Sequence, residues 1–143
     1  LSLGVNRTGK ERYRELLAGL GLGLEEKLDV KVGLLSGGQR QALALLMATM
    51  TPLDFLILDE HTAALDPHTA DTIMELTDKI VKEQKLTAIM VTHNLRYAVE
   101  YGTRLIMMDK GGVILDRSGK EKDATTTESI LDIFNRISIE CGN

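Results

Sequence analysis

One cysteine, Cys141, stands in 143 residues, with no CxxC and no Cys/His spacing around it. That excludes an internal disulfide and a zinc site of the usual spacing, and fits a reducing, cytosolic setting. Basic residues are outnumbered, 17 Lys and Arg against 21 Asp and Glu for a net charge of -4, and no block of Lys or Arg gathers on any predicted face. A binder of nucleic-acid backbones lacks its footprint here, so no nucleic-acid partner is expected. Long apolar runs are missing too. The longest nearly apolar stretch, 42–58, is broken by Pro52 and Asp54 and falls short of the ~20 residues that a membrane helix needs. No basic segment followed by an apolar one opens the chain, so no signal peptide is read. The first residue is Leu1 rather than Met, and a truncated chain is expected. What is present is ordinary for a globular protein: 43% hydrophobic and 27% charged residues, room for about one domain. Such a chain buries roughly 68% of its extended surface, enough for a core without staples.

Along the chain, Tyr13, Leu16, Leu17 and Leu20 follow helical spacing, predicting an amphipathic helix over 10–20 that Gly19, Gly21 and Gly23 end. Residues 24–32 read as irregular. A glycine-rich loop, 33–38, opens into an Ala, Leu and Met-rich helix over 39–50 that Thr51 and Pro52 end. Residues 53–58 are apolar except for Asp54 and stop at Asp59-Glu60, which reads as a buried strand with carboxylates at its tip. Asp66 then caps a helix with Pro67 in its first turn and Ile73, Leu76, Ile80 and Val81 as its stripe. A second buried strand, 86–92, is tipped by His93, and a short helix over 94–101 ends at Gly102. Segments 105–108 and 113–115 flank Lys110-Gly111-Gly112 as a hairpin. A polar link, 116–126, leads to a last helix carrying Ile130, Ile133, Phe134 and Ile137. Apolar strands alternating with helices predict an α/β fold with a parallel sheet covered by helices. Ligands on such sheets sit at the carboxyl ends of the strands, where Asp59, Glu60 and His93 are predicted.

Leu35-Ser36-Gly37-Gly38-Gln39 directly before a helix is the sharpest local feature. Glycines admit an anion close to backbone amides, the helix start adds a positive dipole end, and Ser36 adds a hydroxyl, so the loop suits phosphate. It reads equally as a Ser-Gly-Gly turn that starts a helix with Ser36 or a neighbour as cap. At Leu58-Asp59-Glu60 one acid can hold magnesium through water and the next can polarise an attacking water, although many strands simply end in polar turns. His93 can hydrogen-bond a phosphate oxygen or serve only in a turn. His61 and His68 have no metal-ligand spacing with it, and Met47, Met50, Met90, Met107 and Met108 read as core filling. Gly4 to Lys10 matches the glycine and lysine spacing of a P-loop, but Glu11 stands where Ser or Thr should follow and only three residues precede it, which makes it a chance match.

The order Leu35 to Gln39, Leu58-Asp59-Glu60, Ala64-Leu65-Asp66 and Val91-Thr92-His93 resembles the C-terminal part of the nucleotide-binding domain of ABC transporters. The likeness runs from about Arg12 to Gly119. It implies a truncated P-loop NTPase-type α/β fold, with part of the helical signature subdomain over 1–50 and part of the ATPase core, with hairpin and last helix, over 51–143. ATP and magnesium are the implied cofactors. Ser36, Gly37, Gly38 and Gln39 would meet the γ-phosphate of ATP held by a second subunit, Asp59 would help hold magnesium, and Glu60 would be the catalytic base. Asp66 would lie at the dimer interface, and His93 would sense the γ-phosphate. His61 stands where proline usually follows the glutamate, and Ala63 where serine is common. The run Leu58 to Pro67 is similar to a subgroup of bacterial import ATPases, some linked to aromatic amino acids. The implied partners are a second ATP-binding subunit and transmembrane permease subunits, and the implied place is the cytoplasmic face of the membrane. The P-loop, the adenine-stacking aromatic and the Q-loop glutamine of that family all precede the signature and are not in this sequence. The sheet is therefore expected to have a gap that exposes strand edges and apolar surface, and the isolated chain to be inactive. Two other readings stand beside this one. A soluble ABC-type ATPase of DNA repair or translation is disfavoured by the lack of sustained heptads before Leu35; the other is a non-enzymatic interaction fragment.

Overall fold

The computed structural model describes residues 7–140; Cys141 and the Gly4 to Asn6 part of the P-loop-like match lie outside them. Two compact units are present, one through Ile89 and one from Met90. No helix among the described residues is long and apolar enough to cross a membrane.

In the first unit, α1 (Arg7–Ala18) is followed by short 3-10 turns at Leu24–Glu26 and Val32–Leu34, then α2 (Gly37–Thr49), β1 (Leu56–Asp59) and α3 (Pro67–Glu83). The second strand, β2 (Ala88–Val91), carries the chain into the second unit. Strands β1 and β2 are neighbours in a two-stranded sheet, joined through α3 as in a parallel βαβ unit. The core gathers Leu17, Leu20 and Leu24 from the first turns of the chain, Ala42 and Leu45 from α2, Leu56 from β1, and Ile73, Leu76 and Ile80 from α3. Leu17 and Leu20 follow the predicted α1 stripe, whereas Tyr13 is exposed.

Helix α2 starts two residues earlier than the glycines suggest, because Ser36 caps it and Gly37 and Gly38 already form its first turn. The strands are not buried on both faces. Ile57 is 68% exposed and Ile89 51%, and Phe55 and Val91 are also exposed. These are the strand faces that a continuous sheet with both sides covered would hide. Met47, Met50 and Met108 are exposed rather than core filling, while Met107 is buried.

In the second unit, α4 (Leu95–Glu100) is capped by the Asn94 side chain, which accepts from Tyr97 N–H at 3.3 Å. A hairpin pairs β3 (Arg104–Asp109) with β4 (Gly112–Ser118), with a bulge between Met107 and Met108. Its two-residue turn has positive φ at both positions, 47° at Lys110 and 81° at Gly111, the backbone that suits a tight hairpin and that only glycine adopts freely. The expected polar link is shorter than predicted. Arg104 and Asp116 pair across the hairpin and extend β4 to Ser118. A short helix, α5 (Gly119–Asp123), follows, where buried Lys122 donates to Val99 O. Leu105, Met107 and Ile130 of α6 (Thr127–Glu140) form the core of this unit. Phe134 is exposed, and the side chain of Ile137 lies outside the described residues.

Candidate functional site

Two helix starts meet in the first unit. At α2, Ser36 Oγ accepts from Gln39 N–H at 3.2 Å while Gln39 Oε1 accepts from Ser36 N–H at 3.1 Å, a reciprocal capping box. Gln39 is further engaged: Oε1 accepts from Lys27 Nζ at 3.1 Å, and Nε2 donates to Leu22 O at 3.0 Å. Its amide therefore ties the loop to the segment after α1. The capping box satisfies the third N–H of the helix and leaves those of Gly37 and Gly38 without an intrahelical acceptor, beside a Ser36 hydroxyl that still has a proton to give.

The cap at α3 is built the same way. Asp66 accepts from Thr69 N–H at 3.0 Å, and Pro67 begins the helix where its missing N–H costs nothing. The Thr69 hydroxyl, and after it the Thr69 N–H, hold the exposed Asp66 carboxyl below the usual carboxylate range. The glycines of α2 press on this turn. A Cβ on Gly38 would stand 2.3 Å from Thr69 Cγ2, and one on Gly37 2.9 Å from Leu65 Cδ2. Packing alone thus demands glycine at 38, where the Asp66 cap holds Thr69, whereas the end of the Leu65 side chain can turn aside from a Cβ at 37; the two contacts set Ser36 to Gln39 against Leu65 to Thr69.

Asp59 ends β1 with its side chain exposed, and Glu60 follows at φ 47°, a left-handed conformation that residues with a side chain seldom adopt. Ala63 N–H donates to Glu60 O at 3.0 Å and closes a turn directly after the strand. Burial lowers the pKa of half-buried His61, which keeps it neutral, and its Nε2 lies 3.2 Å from Thr77 Oγ1. His93 is exposed and follows β2 in the second unit. His68 is exposed in the first turn of α3. Among the described residues no group of three or more His, Cys, Asp or Glu could hold a metal ion. Lys10 of the P-loop-like match sits within α1 and pairs with Asp29 at 2.9 Å.

Residues 5–63 match the family described as ABC transporter. A tyrosine transport ATP-binding protein of Clostridioides difficile is 56% identical over 119 residues, 83% of this chain and 47% of that protein. The chain carries part of an ABC transporter ATP-binding domain. A methionine import ATP-binding protein of Bacillus cereus is 37% identical over 131 residues, 88% of this chain and 38% of that protein. A solved inward-facing ABC transporter, described as of metal-chelate type, superposes with a TM-score of 0.68 at 22% identity, over 92% of this chain and 51% of that one, and shows the likeness of fold. The chain thus spans about half the length of the relatives it matches or less.

Within this part of an ABC ATP-binding domain, reading the sequence missed Thr69, Thr77 and Lys27. Thr69 had a local signal, since the third residue of a helix is where an Asp cap finds its N–H. Thr77 and Lys27 had none, because their partners His61 and Gln39 are 16 and 12 residues away.

Proposed function

We propose that this chain is the C-terminal part of the ATP-binding subunit of an importer, with an amino acid as cargo, and that the subunit couples ATP hydrolysis to transport. The observation that carries the reading is the locked pair of helix starts. A Ser-Gly-Gly turn, whose glycine N–H groups have no intrahelical acceptor, packs against Leu65 and Thr69 beside the Asp66 cap, and Asp59 ends the strand before α3 with Glu60 next to it. The 56% identity to a tyrosine transport protein supports the cargo class.

Ser36 Oγ–H and the N–H groups of Gly37 and Gly38 donate to phosphate oxygens at the positive end of α2. Gln39 completes this contact surface by holding the turn in shape from behind. Glu60 takes a proton from the attacking water, general-base help that contributes about 10²- to 10⁴-fold. His93 donates to a γ-phosphate oxygen. Asp59 offers the hard oxygen donor that magnesium prefers and fits it as one ligand among waters and phosphates. When bound, magnesium neutralises charge on the phosphates. Asp66, exposed beside the Ser36 turn, belongs to the contact with a second ATP-binding subunit. Permease subunits supply the membrane path and hold the domain at the cytoplasmic face. Residues 1–50 belong to the helical signature subdomain and 51–143 to the ATPase core, and the 143-residue chain alone does not turn over ATP.

The test is Glu60→Gln in the full-length subunit. ATP binding should persist while steady-state hydrolysis drops by about 10²-fold or more. Hydrolysis at the wild-type rate would make Glu60 a turn residue and refute the reading.

A further inference from the structure

Thr77 is buried on α3, and its hydroxyl donates to Ile73 O at 2.7 Å. A hydroxyl has one proton to give, so toward His61 Nε2, 3.2 Å away, Thr77 Oγ1 can only accept. With the Thr77 proton on Ile73 O, the His61 tautomer that bonds to α3 is the one protonated on Nε2. His61 is also the second residue of the turn that Ala63 N–H closes onto Glu60 O. That position is where a proline ring would fix φ. His61 has no such ring, and its side-chain hydrogen bond is the restraint the turn has instead. The residue being restrained is Glu60, whose φ of 47° is unfavourable unless its surroundings enforce it.

We infer that His61 is a positioning residue: by docking on Thr77 it pins the turn that holds Glu60, and so aims the Glu60 carboxylate at the end of β1. The inference rests on the reading of Glu60 as general base. It assigns a purpose to a histidine that the phosphate and magnesium roles proposed above leave unused, and it makes α3 the rigid support of that base. A misplacement of a catalytic group by about 1 Å can cost as much as 10²-fold in rate, so a pin of this kind acts on kcat.

The experiment uses the full-length ATP-binding subunit containing this chain. Thr77→Val removes the hydroxyl at nearly constant shape, Thr77→Ser keeps it, and His61→Ala removes the ring. Thr77→Val and His61→Ala should each lower kcat about tenfold or more. KM for ATP and the number of ATP sites per subunit should stay at wild-type values, which a misfolded fraction would not allow. Thr77→Ser should restore the wild-type rate. If Thr77→Val does not fold, His61→Ala, at a half-exposed position, decides alone. Wild-type kcat in Thr77→Val or His61→Ala, beside an inactive Glu60→Gln, overturns the inference while leaving Glu60 as base, and so does a Thr77→Ser rate as low as that of Thr77→Val. A fully active Glu60→Gln removes the base and this inference with it.

Discussion

Gly38→Ala should destabilise the ATP-binding domain even though alanine is the better helix former. The added Cβ would stand 2.3 Å from Thr69 Cγ2, about 1.2 Å inside the ~3.5 Å at which carbon atoms pack. Thr69 cannot simply rotate away. Its hydroxyl and its N–H both engage Asp66, so a turn about χ1 exchanges the overlap for a lost bond at the cap of α3. Backing α2 away instead moves Gly37 and Ser36 with it. Overpacking of this kind costs about 1–3 kcal/mol, and alanine in place of glycine returns roughly 0.5–1 kcal/mol. From the middle of each range the net loss is about 1 kcal/mol, or a few degrees in Tm for a domain of this size. Denaturant unfolding of the full-length subunit measures it. Adding Thr69→Ala removes the clashing methyl, so the double variant should recover a coupling of about 1 kcal/mol or more in a double-mutant cycle. A Gly38→Ala variant as stable as wild type, or strictly additive effects, would refute the argument that these helix starts interlock.

Ser36→Ala should cost about 1 kcal/mol of unfolding free energy through loss of the α2 cap, and unchanged stability in denaturant would show that the capping box contributes nothing. At acid pH, Asp66 sets a further expectation: its folded carboxyl is held below the ordinary range by Thr69, so the unfolded chain binds the proton first. The resulting stability is fully present above about pH 4 and is lost as pH falls through the lower folded value. Asp66→Asn keeps a capping oxygen that does not titrate and should flatten this acid limb in Tm against pH, whereas an unchanged limb would contradict the assignment. The purified 143-residue chain should hydrolyse no more magnesium-ATP than its Glu60→Gln variant, because Lys10 of the P-loop-like match lies within α1 and pairs with Asp29; turnover above that control would direct attention back to Gly4 to Lys10.

Where a signal was local, the sequence was readable. Asp66-Pro67 and the Ile73, Leu76, Ile80 stripe foretold α3, and Lys110-Gly111 foretold the hairpin turn. Ser36 before two glycines announced a helix start, although which residue began the helix depended on Gln39 reaching back. Burial was less legible. Ile57 and Ile89 look like core residues of a covered sheet, and nothing in their own segments tells whether the covering layer is there. Met47 is 63% exposed on α2 for the same reason: an apolar side chain records an intended neighbour, and the neighbour is set by other segments. The short helix α5 hid inside a polar run because the burial of Lys122 depends on the carbonyl of Val99, 23 residues earlier. The glycines after Ser36 carried two messages at once, access for phosphate and room for Thr69, and sequence alone could not tell them apart.

On the function proposed above, the Ser36 turn completes an ATP site whose phosphate cradle belongs to another subunit. Disulfide crosslinking tests it most directly. One full-length subunit carries Ser36→Cys, the other a cysteine placed in its P-loop, and both carry Glu60→Gln so that bound ATP persists. A crosslink between the two subunits is expected that forms with ATP and is lost without it. A crosslink that is indifferent to ATP, or none in its presence, would contradict the claim.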